Sequence, residues 1–163
     1  MTIWQGKRIG GGEAVEVRTE NGLVRDVRAI GEPGPERLPW ISPGWIDLQV
    51  NGFGGFDFNG AEPSPEEAAG VTRTLRRHGV AYYLPTVITG SFERMSRSLA
   101  AIAAFVRAGR DGAESVLGIH LEGPYLSGLD GSRGAHPRDH VRDPDWSEFL
   151  ELQAAAGGLI RMV

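Results

Sequence analysis

The segment GIHLEGP, residues 118–124, places an imidazole and a carboxylate within a mostly apolar run. His120 and Glu122 are two residues apart, so in a β-strand their side chains lie on the same face. A carboxylate is costly to bury unless it binds a cation or is fully paired. Because glutamate oxygens and histidine nitrogens both bind divalent metal ions, the pair predicts a metal site, with a salt bridge from Glu122 to an arginine as the alternative.

A row of polar side chains accompanies an earlier apolar run, WIDLQV, at residues 45–50. Asp47, Gln49 and Asn51 alternate with apolar residues, so we expect them to project together from one face of a strand. The amides of Gln49 and Asn51 are poor metal ligands. Two interpretations stay open: a hydrogen-bonded structural network at the strand end, and the lining of a reaction site of another kind.

Hydroxyl and imidazole groups follow the other predicted strands. Thr86 and Thr89 close the run VAYYLPTVIT, where hydroxyls usually satisfy nearby backbone groups, so we predict no chemistry for them. The Gly-rich loop after Glu122 contains His136 and His140. Most loop histidines are solvated, but the Gly-Ala pair before His136 and the proline after it would fix its backbone near a ligand. His136 is therefore the better candidate for a binding role.

Two hydrophobic patterns predict the elements that position these residues. Residues 1–42 alternate apolar and polar, and Asn21-Gly22 separates two such runs, which predicts a small antiparallel β unit. After residue 43, nearly continuous apolar runs, typical of strands buried on both faces, alternate with three helical patterns. The first helix is predicted from a Ser64 N-cap, with Glu67 completing a capping box, to Gly79. The second covers residues 91–107, with Met95, Leu99, Ile102 and Phe105 on its inner face. The third runs from Asp143-Pro144 to residue 156, followed by a last strand at IRMV.

This alternation, with short connections, implies parallel strands in an α/β fold. An open doubly wound sheet and a barrel both fit it, but the Gly-rich segment NGFGGFDFNG lacks the spacing of a dinucleotide-binding motif. We therefore predict the first part of a (β/α)8 TIM-type barrel, about three βα units plus the start of a fourth. In both architectures the site lies at the carboxyl ends of the strands, where Asn51 and Glu122 are expected.

The composition excludes several classes of protein. The 163 residues carry a net charge of −4 with both signs interspersed, and no basic cluster is dense enough for nucleic acid or an anionic membrane. No run approaches the roughly 18 apolar residues of a spanning helix, and the first residues do not resemble a secretory signal. The chain contains no cysteine, which excludes disulfides and thiolate zinc sites. We expect a cytoplasmic protein without nucleic-acid or membrane partners.

Four segments, in this order and at this spacing, resemble the N-acetylglucosamine-6-phosphate deacetylases of the amidohydrolase superfamily: SPGWIDLQVNGFGG, YYLPTVIT, LGIHLEGPYLS and RGAHPRDHVRDPD. The first segment marks the superfamily, whereas HLEGP with a downstream Gly-Ala-His is specific to this family. The resemblance implies a (β/α)8 barrel with a small β-sandwich. Residues 1–42 would then be the N-terminal part of the sandwich, and residues 43–163 the N-terminal part of a truncated barrel.

The resemblance also implies roles for individual residues. Glu122 would bind one divalent metal ion, zinc or ferrous iron, whose water attacks the acetamide of N-acetylglucosamine 6-phosphate and gives glucosamine 6-phosphate and acetate. Ala135 and His136 would contact this phosphorylated amino sugar, although GAHPRD differs from the GAHNP of many relatives. Gln49 and Asn51, in place of the usual His-x-His pair, would line the cavity near the metal.

The same resemblance gives His120 no ligand role, against the expectation from its spacing. It places two histidine ligands, the general-base aspartate and most phosphate-binding residues beyond Val163, so no catalytic residue is expected within the chain. We therefore expect an incomplete fragment that is inactive alone, and a homodimer when full length. Two alternatives stay open: an amidohydrolase acting on a different N-acyl sugar or cyclic amide, and a non-catalytic truncated product.

Overall fold

The computed structural model describes residues 1–31 and 38–163. They form two compact units, Met1–Pro43 and Gly44–Val163. The Pro- and Gly-rich segment at residues 31–39, which the sequence predicts as a connection, falls largely outside the described residues.

Four strands form the first unit: β1 (Thr2–Arg8), β2 (Ala14–Glu20), β3 (Leu23–Ala29) and β4 (Trp40–Ile41). Their order is β3-β2-β1-β4, and all pairs are antiparallel except that of β1 with β4. Asn21 (φ 52°) and Gly22 (φ 75°) link β2 to β3, and both have the positive φ that a two-residue hairpin turn requires. The predicted antiparallel β unit is confirmed.

One carboxylate is buried on this sheet. Glu16 is 6% exposed and accepts hydrogen bonds from Gln5 (3.1 Å), Arg18 (2.9 Å) and Arg28 (2.7 Å). The bond from Gln5, followed by that from Arg18, holds the pKa of Glu16 below its ordinary value. Because its partners lie on β1, β2 and β3, Glu16 ties three strands together.

The second unit is a parallel sheet packed against helices. The strands β5, β8, β9 and β10 lie in the order β10-β9-β8-β5, all pairs parallel, and β6 and β7 form a separate hairpin. The elements are β5 (Trp45–Val50), β6 (Gly52–Phe53), β7 (Phe56–Asp57), α1 (Pro65–Arg77), β8 (Val80–Ile88), α2 (Phe92–Arg107), β9 (Ile119–Glu122), α3 (Trp146–Ala155) and β10 (Ile160–Met162). The predicted α/β class is confirmed.

β5 is less buried than its continuous apolar run predicts. Trp45, Ile46 and Leu48 are 58%, 57% and 58% exposed. The reason is position, since β5 is the last strand at one edge of the described sheet. Only Val50, at the end of the strand, is buried in the core.

The core of the second unit lies between the sheet and the helices. The predicted inner face of α2 is confirmed by its buried residues, Met95, Leu99, Ile102 and Phe105. Tyr83 of β8 is also buried, and its hydroxyl lies 2.7 Å from Oγ1 of Thr72 on α1. Because Thr72 gives its own hydrogen to the backbone oxygen of Ala68, Tyr83 is the donor in this pair. Burial raises the pKa of Tyr83 to about 12.

The first helix begins as predicted. Ser64 accepts a hydrogen bond from the backbone N–H of Glu67 (3.2 Å), and Gly79, with φ +84°, follows its end. The predicted capping box is not completed, because the carboxylate of Glu67 accepts a hydrogen bond from the backbone N–H of Asp57 (3.0 Å).

The predicted start of the third helix at Asp143-Pro144 is wrong. Asp145 is the N-cap, because its carboxylate accepts from the backbone N–H groups of Ser147 (2.8 Å) and Glu148 (3.1 Å). In the parts of the chain that the structure describes, no helix is both long and apolar enough to cross a membrane.

Candidate active site

A pocket of about 180 Å³ opens at the carboxyl ends of the parallel strands. Ile88 and Glu122 are the last residues of β8 and β9, and Asn51 directly follows β5. The loop after β9 supplies the rest of the lining, which is Ala135, His136 and Pro137. The fold therefore brings together four of the residues singled out in the sequence: Asn51, Glu122, Ala135 and His136.

A carboxylate and an imidazole face each other in this pocket. Oε1 of Glu122 lies 3.8 Å from Nε2 of His136, and the two side chains are 28% and 20% exposed. This distance exceeds that of a direct hydrogen bond. A small ligand or an ion entering the pocket would therefore contact both groups without first breaking a tight ion pair.

The orientation of His136 is set by a threonine for which the sequence predicts no chemistry. Thr89, directly after β8, is fully buried. Its Oγ1 lies 2.9 Å from Nδ1 of His136 and 3.3 Å from the backbone oxygen of Glu122. The hydroxyl thus does satisfy the backbone as predicted, and it also touches the imidazole of a residue 47 positions later in the chain.

Space for this hydroxyl depends on Gly123. A Cβ atom at position 123 would lie 2.0 Å from Oγ1 of Thr89, and the backbone φ there is +89°. Glycine alone meets both constraints without a shift of the surroundings. The glycine of the HLEGP motif therefore keeps open the space through which Thr89 reaches His136.

Arg133 holds the backbone of His136. Its guanidinium donates to the backbone oxygen of His136 and, at 2.8 Å, to the carboxylate of Asp130. These hydrogen bonds of Arg133 therefore fix the backbone of the Gly-rich loop next to His136.

Arg142 anchors the far end of the same loop. It donates to the backbone oxygen of His140 (2.7 Å) and, through Nε, to the carboxylate of Glu148 on α3 (2.9 Å). The hydrogen bond with Glu148 raises the pKa of Arg142 above its ordinary value. His140 is thus part of the loop anchor and does not line the pocket.

The polar row at the end of β5 borders one groove, which is lined by Asp47, Gln49 and Asn51. The pairing of β5 with β8 shifts in register between Asp47 and Val50. Asn51 also lines the pocket with Glu122, whereas Asp47 and Gln49 do not. A role for Gln49 near a metal stays a prediction.

A buried amide that is not among the residues predicted from the sequence holds the strand ends in place. Asn59 is 6% exposed, and its Nδ2 donates to the backbone oxygens of Asn51 (3.2 Å) and Thr86 (2.9 Å). Its Oδ1 accepts from the backbone N–H of Ile88 (2.9 Å). Asn59 therefore joins the ends of β5 and β8 beyond the register shift and positions two residues of the pocket. Its setting in a Gly-rich segment was the only signal in the sequence.

His120 lies in β9, two residues before Glu122, but does not line the pocket. Its position pairs with Thr86 of β8, and its Nδ1 is buried without a hydrogen-bond partner among the described residues. A ligand role for His120 stays a prediction from its spacing, which the family resemblance does not support.

The donor groups at the pocket fit one ligand of a metal ion and not a whole centre. Glu122 offers a partly exposed carboxylate, with His136 close to it. Within residues 1–31 and 38–163, no group of three or more His, Cys, Asp or Glu side chains is placed to hold an ion. Catalytic zinc sites use three protein ligands. Glu122 is therefore suited to be one ligand of a metal ion, and the binding of an ion stays a prediction.

A larger groove of about 510 Å³ along α1 is lined by four arginines, Arg73, Arg76, Arg77 and Arg110. Arg76 is paired with Asp111 (3.1 Å) and Arg110 with Glu66 (2.7 Å), so part of this charge is neutralised locally. The groove holds no carboxylate and imidazole facing each other. We therefore assign the candidate site to the smaller pocket at the strand ends.

The known proteins that this chain resembles in sequence include deacetylases of two N-acetyl amino-sugar phosphates. The chain is 39% identical over 122 residues to N-acetylglucosamine-6-phosphate deacetylase of Bos taurus, covering 73% of this chain and 28% of that protein. It is 30% identical over 149 residues to N-acetylgalactosamine-6-phosphate deacetylase of Escherichia coli O157:H7, covering 91% of this chain and 38% of that protein. No family model matches the chain.

A solved structure resembles nearly the whole chain. It is a mutant of N-acetyl-D-glucosamine-6-phosphate deacetylase from Mycobacterium smegmatis, in complex with N-acetyl-D-glucosamine-6-phosphate. The TM-score is 0.76 at 30% identity, and the match covers 99% of this chain and 42% of that one.

These relatives define the class as hydrolases that remove an acetyl group. Within that class, the chain is homologous to part of the N-acetylglucosamine-6-phosphate deacetylases, and the resemblance predicted from its motifs is confirmed. The chain spans 28% and 38% of the length of the two curated relatives.

Proposed function

We propose that this chain serves in the hydrolysis of the N-acetyl amide of N-acetylglucosamine 6-phosphate to glucosamine 6-phosphate and acetate, in amino-sugar catabolism. The observation that carries the proposal is the pocket where Glu122, Ala135 and His136 lie together at the strand ends. Similarity to a deacetylase named for this substrate, and to a solved relative that holds it, supports the proposal. N-acetylgalactosamine 6-phosphate is the second candidate substrate, since a relative named for it is 30% identical.

We infer that Glu122 binds one divalent metal ion, zinc or ferrous iron, together with ligands from outside the described residues. When bound, such an ion supplies a Lewis acid that lowers the pKa of water enough for attack on an amide near neutral pH. The partly exposed Glu122 carboxylate suits this role, because an oxygen ligand must be both ionised and reachable.

The chain's own residues in this proposal bind and orient the substrate. Thr89 and Arg133 fix His136, so its Nε2 presents a constant direction to the sugar. Ile88 and Pro137 line the pocket with apolar surface and limit the access of water. The general base is expected outside this chain, as the family resemblance implies.

We further propose that the second unit is the first part of a (β/α)8 TIM-type barrel, and that the first unit is part of a small β-sandwich. Parallel strands alternating with helices support the barrel. The strands β5 and β10 form the two edges of the described sheet, and unpaired edges of this kind favour association. The whole protein would be a cytoplasmic homodimer, and the 163-residue chain alone would neither retain metal nor deacetylate.

The test is a deacetylation assay with both sugar phosphates on the protein encoded by the complete reading frame that contains residues 1–163. We expect turnover in the wild type and in Glu62→Gln, a matched variant at an exposed carboxylate. Glu122→Gln should lose activity by at least about 100-fold. Metal-loaded wild type that hydrolyses neither sugar would overturn the proposed substrate, and turnover with bound metal by the 163-residue chain alone would overturn its incompleteness.

A further inference from the structure

Every asparagine of this chain is followed by a glycine, in the pairs Asn21-Gly22, Asn51-Gly52 and Asn59-Gly60. In such a pair the backbone nitrogen of the glycine can attack the side-chain carbonyl of the asparagine, because glycine has no Cβ atom to obstruct the approach. The reaction requires an asparagine side chain that is free to turn and a glycine N–H that is not held in a hydrogen bond. The three pairs therefore differ in reactivity according to their surroundings.

The side chain of Asn51 is free, whereas that of Asn59 is held. Asn51 is exposed where it lines the pocket with Glu122, and its amide takes part in none of the hydrogen bonds among the described residues. Asn59 is 6% exposed, and its amide makes three hydrogen bonds to backbone groups at the strand ends. A turn of the Asn59 amide toward the nitrogen of Gly60 would break all three.

The backbone N–H of Gly52 is not used by the hairpin of β6 and β7. Antiparallel strands alternate between hydrogen-bonded and non-bonded residue pairs. The N–H of Phe58 donates to the backbone oxygen of Asn51 (3.1 Å), and the N–H of Asp57 donates to the carboxylate of Glu67 (3.0 Å). Gly52 and Asp57, which face each other, are therefore a non-bonded pair, and the N–H of Gly52 points away from β7.

Two hydrogen bonds activate the Gly52 nitrogen. The oxygen of the peptide between Asn51 and Gly52 accepts from the N–H of Phe58 and from Nδ2 of Asn59 (3.2 Å). Attack by the nitrogen requires the loss of its proton, which moves negative charge onto this oxygen. Donors that are already in place stabilise such charge, as they do in an oxyanion hole. The contacts that hold the strand end thus also favour the reactive form of the peptide.

We propose that Asn51 is a site of spontaneous deamidation, which converts a neutral amide of the pocket into a carboxylate. The nitrogen of Gly52 forms a bond with Cγ of Asn51, the Cγ–Nδ2 bond breaks, and the proton from Gly52 leaves with Nδ2 as ammonia. Water then opens the cyclic imide, at Cγ to give aspartate or at the backbone carbonyl to give isoaspartate. The fold retains the glycine, because a Cβ atom at residue 52 would lie 2.5 Å from the backbone oxygen of Phe56.

The consequence for ligand binding rests on the proposed function. After deamidation, carboxylates at residues 51 and 122 would both line the pocket that His136 shares. The added negative charge repels an anionic ligand, and a phosphorylated amino sugar is such a ligand. Deamidation would therefore weaken the binding of the proposed substrate as the protein ages.

The test is mass spectrometry of the 163-residue chain after storage in mildly alkaline buffer, with circular dichroism to confirm that it is folded. Peptides are prepared in acid and sequenced to locate the exchange of NH2 for OH, and chromatography separates isoaspartate. Asn51 should convert at least about tenfold faster than Asn59, because three hydrogen bonds protect Asn59. In urea the two rates should become similar. Conversion of Asn51 no faster than that of Asn59 in buffer would overturn the proposal.

Asn51→Gln is the matched control for the chemistry. It keeps an amide at residue 51, but its longer side chain would have to close a larger ring, so residue 51 should stay unmodified during the same storage. An equal rate of conversion at residue 51 in Asn51→Gln would show that the attack by Gly52 is not the route.

The effect on binding is tested on the protein from the complete reading frame. Asn51→Asp reproduces the aspartate product and should raise KM for N-acetylglucosamine 6-phosphate about fivefold to tenfold relative to the uncharged Asn51→Gln. Deamidation of Asn51 in a protein that deacetylates neither sugar phosphate would contradict only the proposed function. Equal KM values for the two variants in an active enzyme would contradict the inferred effect of the new carboxylate.

Discussion

Replacement of Gly123 by alanine tests how the pocket is assembled. The new Cβ would lie 2.0 Å from Oγ1 of Thr89, a distance that forces the threonine hydroxyl to move. That movement breaks the hydrogen bonds of Thr89 with the Glu122 backbone and with His136. The backbone at residue 123 also has φ +89°, which an alanine adopts only with strain.

The magnitude follows from two separable contributions. A positive φ costs an L-residue about 1–2 kcal/mol. Two lost hydrogen bonds add about 1 kcal/mol each. Gly131 isolates the first contribution, because it has the same φ of +89° and an added Cβ there meets nothing within 4 Å. We expect Gly131→Ala to lower the free energy of unfolding by about 1–2 kcal/mol and Gly123→Ala by about 3–4 kcal/mol.

The assay is urea unfolding followed by circular dichroism at a helix-sensitive wavelength, since the helices of the described residues all lie in the second unit. The double variant Thr89→Ala/Gly123→Ala provides a further check. In the Thr89→Ala background, the added cost of Gly123→Ala should fall toward that of Gly131→Ala. Equal losses for the two glycine variants in the wild-type background would refute the close contact between residues 123 and 89.

Three other predictions concern the surrounding structure. Tyr83 contributes stability that is complete below pH 10 and is lost as the pH rises toward 12, because its folded pKa is raised to about 12. Between these pH values the free energy of unfolding should fall by about 2–3 kcal/mol less in Tyr83→Phe than in the wild type. Asn59→Ala, which removes three hydrogen bonds, should cost about 3 kcal/mol, whereas exposed Asn51→Ala should change stability by less than about 0.5 kcal/mol in the same urea assay. The depressed pKa of Glu16 adds stability at pH values above its ordinary pKa of 4.5, and this stability is lost as the pH falls through the folded pKa. Glu16→Gln should therefore have a lower Tm at neutral pH, and its Tm should depend less on pH in acid. An unchanged dependence of Tm on acid pH would contradict this role.

Local patterns in the sequence predict most of the elements. The Asn21-Gly22 turn, the Ser64 cap and the inner face of α2 each depend on residues close together in the chain, and the structure confirms all three. The placement of Glu122 at a strand end follows from a short motif in the same way. The start of α3 was predicted two residues too early, because Asp143-Pro144 and Asp145 are both acceptable N-terminal signals and the structure uses Asp145.

The contacts that complete the pocket are not local. Thr89 meets His136 across 47 residues, and Asn59 meets the backbone of Ile88 across 29. The register shift in β5 depends on how that strand pairs with β8, which its own alternation of side chains does not encode. These features arise from tertiary packing, so the periodicity and motifs of a single sequence do not predict them.

The role of Glu122 is tested most directly by metal analysis of the protein from the complete reading frame. Wild type, Glu122→Gln and the exposed control Glu62→Gln would be loaded with zinc or ferrous iron and dialysed under identical conditions. We predict about one ion per chain in the wild type and in Glu62→Gln, and loss of the ion from Glu122→Gln. Retention of the ion by folded Glu122→Gln would contradict the assignment of this carboxylate to the metal centre.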